Sequence, residues 1–156
     1  FVLGRLVPKR WFDHTRFPYR AAAFERDGQI YEALGIRRWQ NRVPDMSRIL
    51  PGLMPAKKLT AETFSDLPRM IQETCVAELI HTLLSVTGLA CLAIWPGVGG
   101  IAVTVVYILL GNLPFIIIQR YNRPRLERLL ALQQRKQERK DNHAHADTEL
   151  QYGRGA

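Results

Sequence analysis

The chain has 156 residues and a net charge of +8, with 22 Lys and Arg against 14 Asp and Glu. Its length fits a single domain. Residues 74–118 contain no Lys or Arg and only one acid, Glu78. A nucleic-acid-binding domain spreads its positive charge over a folded surface. We therefore expect no nucleic-acid partner, and an integral membrane protein whose basic segments flank an apolar centre.

Residues 1–72 are predicted to form a cytoplasmic or interfacial helical segment. The stretches Ala21–Arg26 and Gln29–Leu34 have helical composition, and Gly28 and Gly35 punctuate them. No alternating strand pattern is present along the chain. The predicted fold class is therefore all-α.

Two further helix signals precede the apolar centre. Thr60–Phe64 is typical of a helix start, and Asp66 followed by Pro68 indicates a capped first turn. We expect the helix that begins there to continue into the membrane. The apolar residues Phe1–Leu3 predict the end of one further N-terminal span ahead of this chain.

Residues 73–119 are predicted to form a transmembrane helical hairpin. Val76–Trp95 is 20 residues long and, at about 1.5 Å per residue, crosses a hydrocarbon core of about 30 Å. Pro96–Gly100 breaks the helix, and Ile101–Ile118 forms the second span. The turn is uncharged and both outer flanks are basic, which predicts a multi-pass protein of the cell membrane with cytoplasmic flanks.

Two segments follow the hairpin. Residues 120–140 are predicted to form a basic amphipathic helix at the membrane interface, because Arg125–Leu132 carries apolar residues at helical spacing. Residues 141–156 are predicted to be a disordered polar tail.

Polar groups inside a span are expensive and indicate a function or a helix contact. Glu78 and His81 lie one turn apart on the first span, and Asn112 lies at a similar depth on the second. Histidine suits a general base near neutral pH, and a nearby carboxylate can orient its ring. His81, Glu78 and Asn112 are therefore the candidate catalytic residues. The alternative is that they only join helices.

The run Gln119–Arg125 contains three arginines at the cytoplasmic end of the second span. Arginine binds phosphate well, but basic juxtamembrane runs also anchor to lipid headgroups, and both interpretations stay open. The candidate substrate-binding residues are Glu73, Gln119, Arg120, Tyr121, Asn122, Arg123, Arg125 and Trp39. Cys75 and Cys91 lie 16 positions apart without a second ligand cluster, so no metal site is predicted.

The stretches Met70–His81 and Asn112–Leu126, and more loosely Phe24–Gly28 and Arg38–Trp39, resemble the glycosyl-4,4′-diaponeurosporenoate acyltransferases. The resemblance extends to about residue 139. It implies a small membrane enzyme that esterifies a fatty acyl chain onto the sugar of a carotenoid glycoside. It also implies an apolar span ahead of the part seen here.

The resemblance and the polar residues together predict a membrane O-acyltransferase that needs no cofactor. We expect acyl-CoA as the acyl donor, a glycolipid or carotenoid glycoside as the acceptor, and membrane lipids as further partners. Asn112 or Gln119 would stabilise the oxyanion, and Arg120, Arg123 and Arg125 would hold the phosphates of the donor. The alternative function is a non-catalytic small subunit or lipid-binding partner of a larger membrane complex, with membrane-protein partners.

Overall fold

The computed structural model describes residues 12–43 and 66–153. Within these ranges every regular element is helical and no strand is present, which confirms the all-α prediction for this part of the chain. The predicted helix start at Thr60–Phe64 and the apolar residues Phe1–Leu3 lie outside the described residues.

Short helical pieces make up the N-terminal segment, residues 12–43. They are a 3-10 helix at Ala23–Gly28, α1 at Gln29–Ala33, α2 at Ile36–Trp39 and a 3-10 turn at Gln40–Arg42. Gly28 and Gly35 precede α1 and α2 in left-handed conformations, with φ of 91° and 70°. Glycine adopts such angles without the steric penalty of a Cβ, which explains the predicted breaks at these positions.

The first long helix, α3, covers Leu67–Ala90 and ends in a 3-10 turn at Cys91–Ala93. It runs unbroken through the predicted start of the first span, as expected. Asp66 occupies the N-cap position, but its side chain makes no capping hydrogen bond. Pro68 lies in the first turn, where its fixed φ suits a helix start.

The chain then reverses tightly. Helix α4 covers Val98–Val106, and Gly97 precedes it with φ of 110°. A Cβ on Gly100 would lie 2.0 Å from the carbonyl oxygen of Trp95. Only glycine fits at that position, so the turn depends on it.

A π-helical turn, Tyr107–Asn112, connects α4 to α5, which covers Leu113–Gly153. The turn lies just before Pro114, where the sequence predicts loosened backbone hydrogen bonding, because proline has no N–H and its ring crowds the preceding turn.

Helix α5 is longer than the sequence analysis predicts. The segment 120–140 directly continues the second apolar helix, and the expected disordered tail from Asp141 is helical as far as Gly153. Between Arg125 and Tyr152 there is no Gly or Pro, and Gln, Arg, Lys, Glu and Ala predominate. These residues favour helix strongly, which explains the unbroken helix.

Helices α3 and α5 pack side by side, and the N-terminal segment covers them near the basic end of the hairpin. The buried side chains form three small clusters: Phe12, Tyr19 and Cys75; Tyr31, Ile36 and Tyr121; and Leu67, Ile71 and Leu126. The core therefore lies at one end of the hairpin.

The apolar side chains at the other end are exposed. Two helical stretches, Leu67–Ala93 and Val98–His145, are long and apolar enough to cross a membrane, yet only 17% and 11% of their most apolar windows are buried. The core helix of a soluble protein would be mostly buried, so these surfaces are suited to contact with lipid.

Candidate active site

A buried cluster of two carboxylates and two guanidinium groups lies where α3, α5 and the N-terminal segment meet. Glu78, only 8% exposed, pairs through Oε1 with Arg120 Nη1 and through Oε2 with Arg123 Nη2, both at 2.5 Å. Glu25 accepts from Arg120 Nε at 2.9 Å and Nη2 at 2.5 Å. The charges balance, as buried ions require.

Other protein groups also accept hydrogen bonds from these two arginines. Arg123 donates from Nε to Thr74 Oγ1 at 2.9 Å and from Nη1 to the carbonyl oxygen of Tyr19 at 2.5 Å. Arg120 Nη1 donates to the carbonyl oxygen of Pro18 at 3.2 Å. The structure therefore brings Arg120 and Arg123 to acidic and backbone partners within the protein, where little donor capacity is left for a substrate phosphate.

His81 and Asn112 meet across the hairpin, at the common depth that the sequence predicts. Nδ1 of His81 lies 3.1 Å from Oδ1 of Asn112. The ring of Phe115 stacks on the imidazole with centroids 4.5 Å apart and planes 4° from parallel. The imidazole is therefore held both at one nitrogen and along one face.

The hydrogen bonds of Asn112 determine which nitrogen of His81 carries the proton. Nδ2 of Asn112 donates to the carbonyl oxygen of Tyr107 at 3.2 Å, so its Oδ1 is the atom that faces His81 and can only accept. Nδ1 of His81 must then be the donor in this contact, which leaves the lone pair on Nε2. A neutral imidazole in this tautomer can act as a base through Nε2.

Glu78 does not pair with His81, although the two share a face of α3. The carboxylate oxygens of Glu78 bind the guanidinium groups of Arg120 and Arg123 instead. Charge-assisted bonds to arginine are stronger than a bond to a neutral imidazole, which accounts for the choice of partner. The structure therefore places Asn112, and not Glu78, against the imidazole of His81.

A second polar cluster surrounds the hydroxyl group of Tyr121. That hydroxyl donates to Glu32 at 3.1 Å and accepts from Arg37 Nε at 3.4 Å and Arg125 Nη1 at 3.0 Å. Arg37 also pairs with Glu32 at 2.7 Å, and the guanidinium of Arg125 lies 4.9 Å from the centroid of the Tyr121 ring. Arg125 is thereby separated from Arg120 and Arg123.

The remaining predicted site residues do not converge on His81. Trp39 is half-buried against the apolar cluster of Tyr31, Ile36 and Tyr121, and its indole nitrogen donates to the carbonyl oxygen of Leu34 at 3.3 Å. Glu73 pairs with Arg69 at 3.4 Å near the surface. Gln119 and Asn122 are half-buried on α5, and Gln119 shares a face with Asn112 because the two are seven residues apart.

Sequence reasoning missed Glu25, which is 1% exposed and belongs to the central ion cluster. The sequence around Glu25 contains no pattern that indicates that this side chain is buried. The available signal was its position inside Phe24–Gly28, one of the stretches that carry the family resemblance.

A small recess lies beside the ion cluster. Its volume is about 10 Å³, which suits one water molecule. It is lined by Tyr19, Ala21, Glu25, Arg120, Arg123, Pro124 and Glu127. It is too small for an acyl chain or a sugar.

Comparison with known proteins matches a stretch of the chain that contains the residues described above. A family model described as glycosyl-4,4′-diaponeurosporenoate acyltransferase matches residues 8–132. The chain belongs to this family. The family resemblance predicted from the sequence is confirmed, and the match includes His81, Asn112 and the whole ion cluster.

Two curated relatives carry the name glycosyl-4,4′-diaponeurosporenoate acyltransferase, from Staphylococcus aureus strains MRSA252 and Newman. Each is 30% identical over 140 residues, which cover 89% of this chain and 84% of the relative. The protein of the same name from the bovine strain RF122 is 29% identical over the same length. No solved structure matches the chain significantly.

Proposed function

We propose that this protein is a membrane O-acyltransferase that moves a fatty acyl group from an acyl carrier to a sugar hydroxyl of a carotenoid glycoside or a related glycolipid. Membership of the acyltransferase family supports the reaction class. The single structural observation that carries the proposal is the His81–Asn112 contact. It holds an oriented imidazole between two long helices whose surfaces are mostly apolar.

The proposed location is the cell membrane, with the hairpin inserted and both basic flanks on the cytoplasmic side. The exposed apolar surface of the two long helices supports insertion. The uncharged turn between Trp95 and Ile101, set against the basic flanks, supports this orientation. His81 and Asn112 then lie below the headgroups, at a depth that a fatty acyl thioester can reach from the bilayer.

His81 acts as the general base in the proposed mechanism. Its Nε2 takes the proton from the sugar hydroxyl while the hydroxyl oxygen bonds to the carbonyl carbon of the acyl thioester. The tetrahedral intermediate then collapses, the carbon–sulfur bond breaks, and the imidazolium returns the proton to the departing thiolate. The products are an ester and a free thiol, and Phe115 and Asn112 hold the ring throughout.

The ion cluster has a structural part in this proposal. Glu78, Arg120 and Arg123 fasten α3 to α5 at the cytoplasmic end, and Glu25 joins the N-terminal segment to them. Fixing the helices there fixes the separation of His81 and Asn112 farther along. We propose acyl-CoA as the donor and assign Gln119, on the same face as Asn112, to contact with the substrate.

The proposal is tested by replacing His81 with Gln and with Ala and measuring acyl esters by mass spectrometry in membranes supplied with acyl-CoA and a glycosylated carotenoid. General-base catalysis contributes about 10²–10⁴-fold, so we expect a loss of that size. His143→Gln is the matched control, because His143 lies exposed on α5 far from the contact. Full activity of the His81 variants at normal protein level would exclude His81 from the mechanism.

The second candidate function is a non-catalytic subunit or lipid-binding partner in a larger membrane complex. The water-sized recess favours it, since a site that encloses its substrate needs more space. The purified chain in lipid nanodiscs, given both substrates, distinguishes the two functions. Ester formation without any other protein rejects the subunit function, whereas inactivity with stoichiometric co-purification of another membrane protein supports it.

A further inference from the structure

The cluster around Tyr121 holds two guanidinium groups at one point of the surface. Arg37 and Arg125 both donate to the single hydroxyl oxygen of Tyr121, although they are 88 residues apart in the chain. Glu32 is the only acid among the described residues that pairs with this group. The cluster therefore keeps one positive charge in excess, and an anion can neutralise it.

The donors of this cluster face outwards, unlike those of Arg120 and Arg123. The side chain of Arg37 is 66% exposed, and Arg125 is also exposed. The ring and hydroxyl of Tyr121 fix the guanidinium of Arg125 on one side only. Tyr121 is the partner of Arg125 among the described residues, and a planar guanidinium fork matches a phosphate ester.

The height of the cluster relative to the bilayer favours a lipid headgroup as the source of that phosphate. Tyr121 lies three residues and Arg125 seven residues beyond Ile118, the predicted end of the second span, which corresponds to about 4.5 and 10 Å along the helix. The polar layer on each side of the hydrocarbon core is about 5–7.5 Å thick, so Tyr121 lies within it and Arg125 lies at its outer edge, where its long side chain can reach back to a phosphate. Trp39, an aromatic residue of the kind found at this interface, packs against the apolar cluster of Tyr31, Ile36 and Tyr121.

The position of the cluster around α5 separates it from the catalytic contact. Tyr121 follows Asn112 by nine residues, which at 3.6 residues per turn is about two and a half turns and so places the two on opposite faces of the helix. The phosphate would therefore lie on the side of α5 opposite to His81. A donor bound there would point its thioester away from the imidazole.

We propose that Arg37 and Arg125, fixed by Tyr121, form a binding site for the phosphate of an anionic phospholipid headgroup. This inference rests on the membrane location in the proposed function but not on acyl transfer. The site gives the N-terminal segment and α5 a common lipid ligand, which holds both at the cytoplasmic surface. Glu32 orients Arg37, and the guanidinium of Arg37 holds the pKa of that carboxyl below its usual range.

The test uses Trp39 as a reporter of the lipid beside the cluster. In a chain with Trp11→Phe and Trp95→Phe, Trp39 is the one remaining tryptophan. The protein is placed in phosphatidylcholine nanodiscs that contain about 10 mol% of a brominated lipid, which supplies several molecules per disc. Quenching by brominated phosphatidylglycerol is compared with quenching by brominated phosphatidylcholine.

We expect several-fold stronger quenching by the anionic lipid, and equal quenching by both lipids in the double variant Arg37→Gln/Arg125→Gln. Arg128→Gln is the matched control, because Arg128 pairs with Asp27 at 3.6 Å, and it should keep the preference. Equal quenching in the parent, or a preference that survives the double variant, overturns the proposal. Loss of the preference on adding coenzyme A also overturns it, because the phosphate would then belong to the acyl donor.

The readout requires no ester formation. A catalytically inactive chain that still prefers phosphatidylglycerol would refute the acyltransferase proposal and leave the lipid site standing. An active chain without that preference would refute the lipid site and leave the acyltransferase proposal standing.

Discussion

Asn112 accepts a hydrogen bond from His81 across the hairpin, with 3.1 Å between Oδ1 and Nδ1, and so leaves the lone pair of the imidazole on Nε2. Asn112→Leu removes the acceptor and keeps the branched shape of the side chain. We expect kcat to fall about 10–100-fold, as when an orienting partner of a functional histidine is lost.

Asn112→Asp supplies the matched variant for this prediction, because a carboxylate still accepts from Nδ1. It should keep more activity than Asn112→Leu in the same membrane assay. If both variants were equally impaired while remaining folded, Asn112 would act on the substrate directly and not through His81.

Glu78 should matter for stability far more than Glu73. Removing one partner of a buried ion pair leaves the others uncompensated and costs about 3–5 kcal/mol. Glu78 is 8% exposed and bonded to two arginines, whereas the side chain of Glu73 is 36% exposed in its pair with Arg69. Glu78→Gln should therefore lower the unfolding temperature clearly, and Glu73→Gln only slightly.

The two cysteines allow the unfolding temperatures of these glutamate variants to be measured in detergent. Cys75 is buried and Cys91 is exposed, so in a Cys91→Ser background a maleimide dye reports unfolding through Cys75. Equal melting temperatures for the two glutamate variants would contradict the structural part assigned to the ion cluster.

The pair formed by Glu25 and Arg120 joins the N-terminal segment to α5 across 95 residues of sequence. Because the two side chains contact each other, their effects on stability should not add. We expect a coupling energy of about 0.5–3 kcal/mol in the cycle of Glu25→Gln, Arg120→Gln and the double variant. Limited proteolysis should cut the N-terminal segment faster in each single variant than in the parent, and additive losses would argue that the contact is absent.

The sequence predicts some parts of this architecture well because they depend on local spacing. Counting residues from each end of the two apolar segments places His81 and Asn112 at one depth, and the structure brings them together. Helical periodicity and rise suffice for such inferences.

The partners of Glu78 could not be found in that way. Its ion pairs reach residues 42 and 45 positions away, and Arg120 reaches Glu25 over 95 positions. Helical spacing places residues on a face but does not identify what packs against that face. For Glu78 it therefore suggested the near neighbour His81, while the stronger charged partners came from another element.

Gly88 allows the close approach of α3 to the π-helical turn. A Cβ at this position would lie 2.9 Å from two ring carbons of Tyr107. Gly88→Ala should therefore destabilise the protein by about 1–3 kcal/mol, the usual cost of overpacking. At Gly111 the same Cβ would make an ordinary contact at 3.6 Å, so Gly111→Ala is the control and should change the unfolding temperature little.

The Tyr107 ring is the source of the predicted clash, and its removal should relieve it. The double variant Gly88→Ala/Tyr107→Leu is expected to lose less unfolding free energy than the two single variants lose together. If the double variant showed no such recovery, the cost at Gly88 would arise elsewhere than at this ring.

Helix α5 continues without interruption from the apolar hairpin to Gly153, so we expect its polar half to project from the membrane instead of lying along it. Asn142 lies 24 residues beyond Ile118, or about 36 Å along the helix. A fluorophore on Asn142→Cys, in a chain with Cys75 and Cys91 replaced by Ser, should escape quenching by a quencher attached to lipid headgroups. The same label on Arg125→Cys should be quenched strongly, because the proposed insertion places this position beside the headgroup layer. Strong quenching at both positions would mean that the helix bends onto the surface, as its amphipathic first turns alone would suggest.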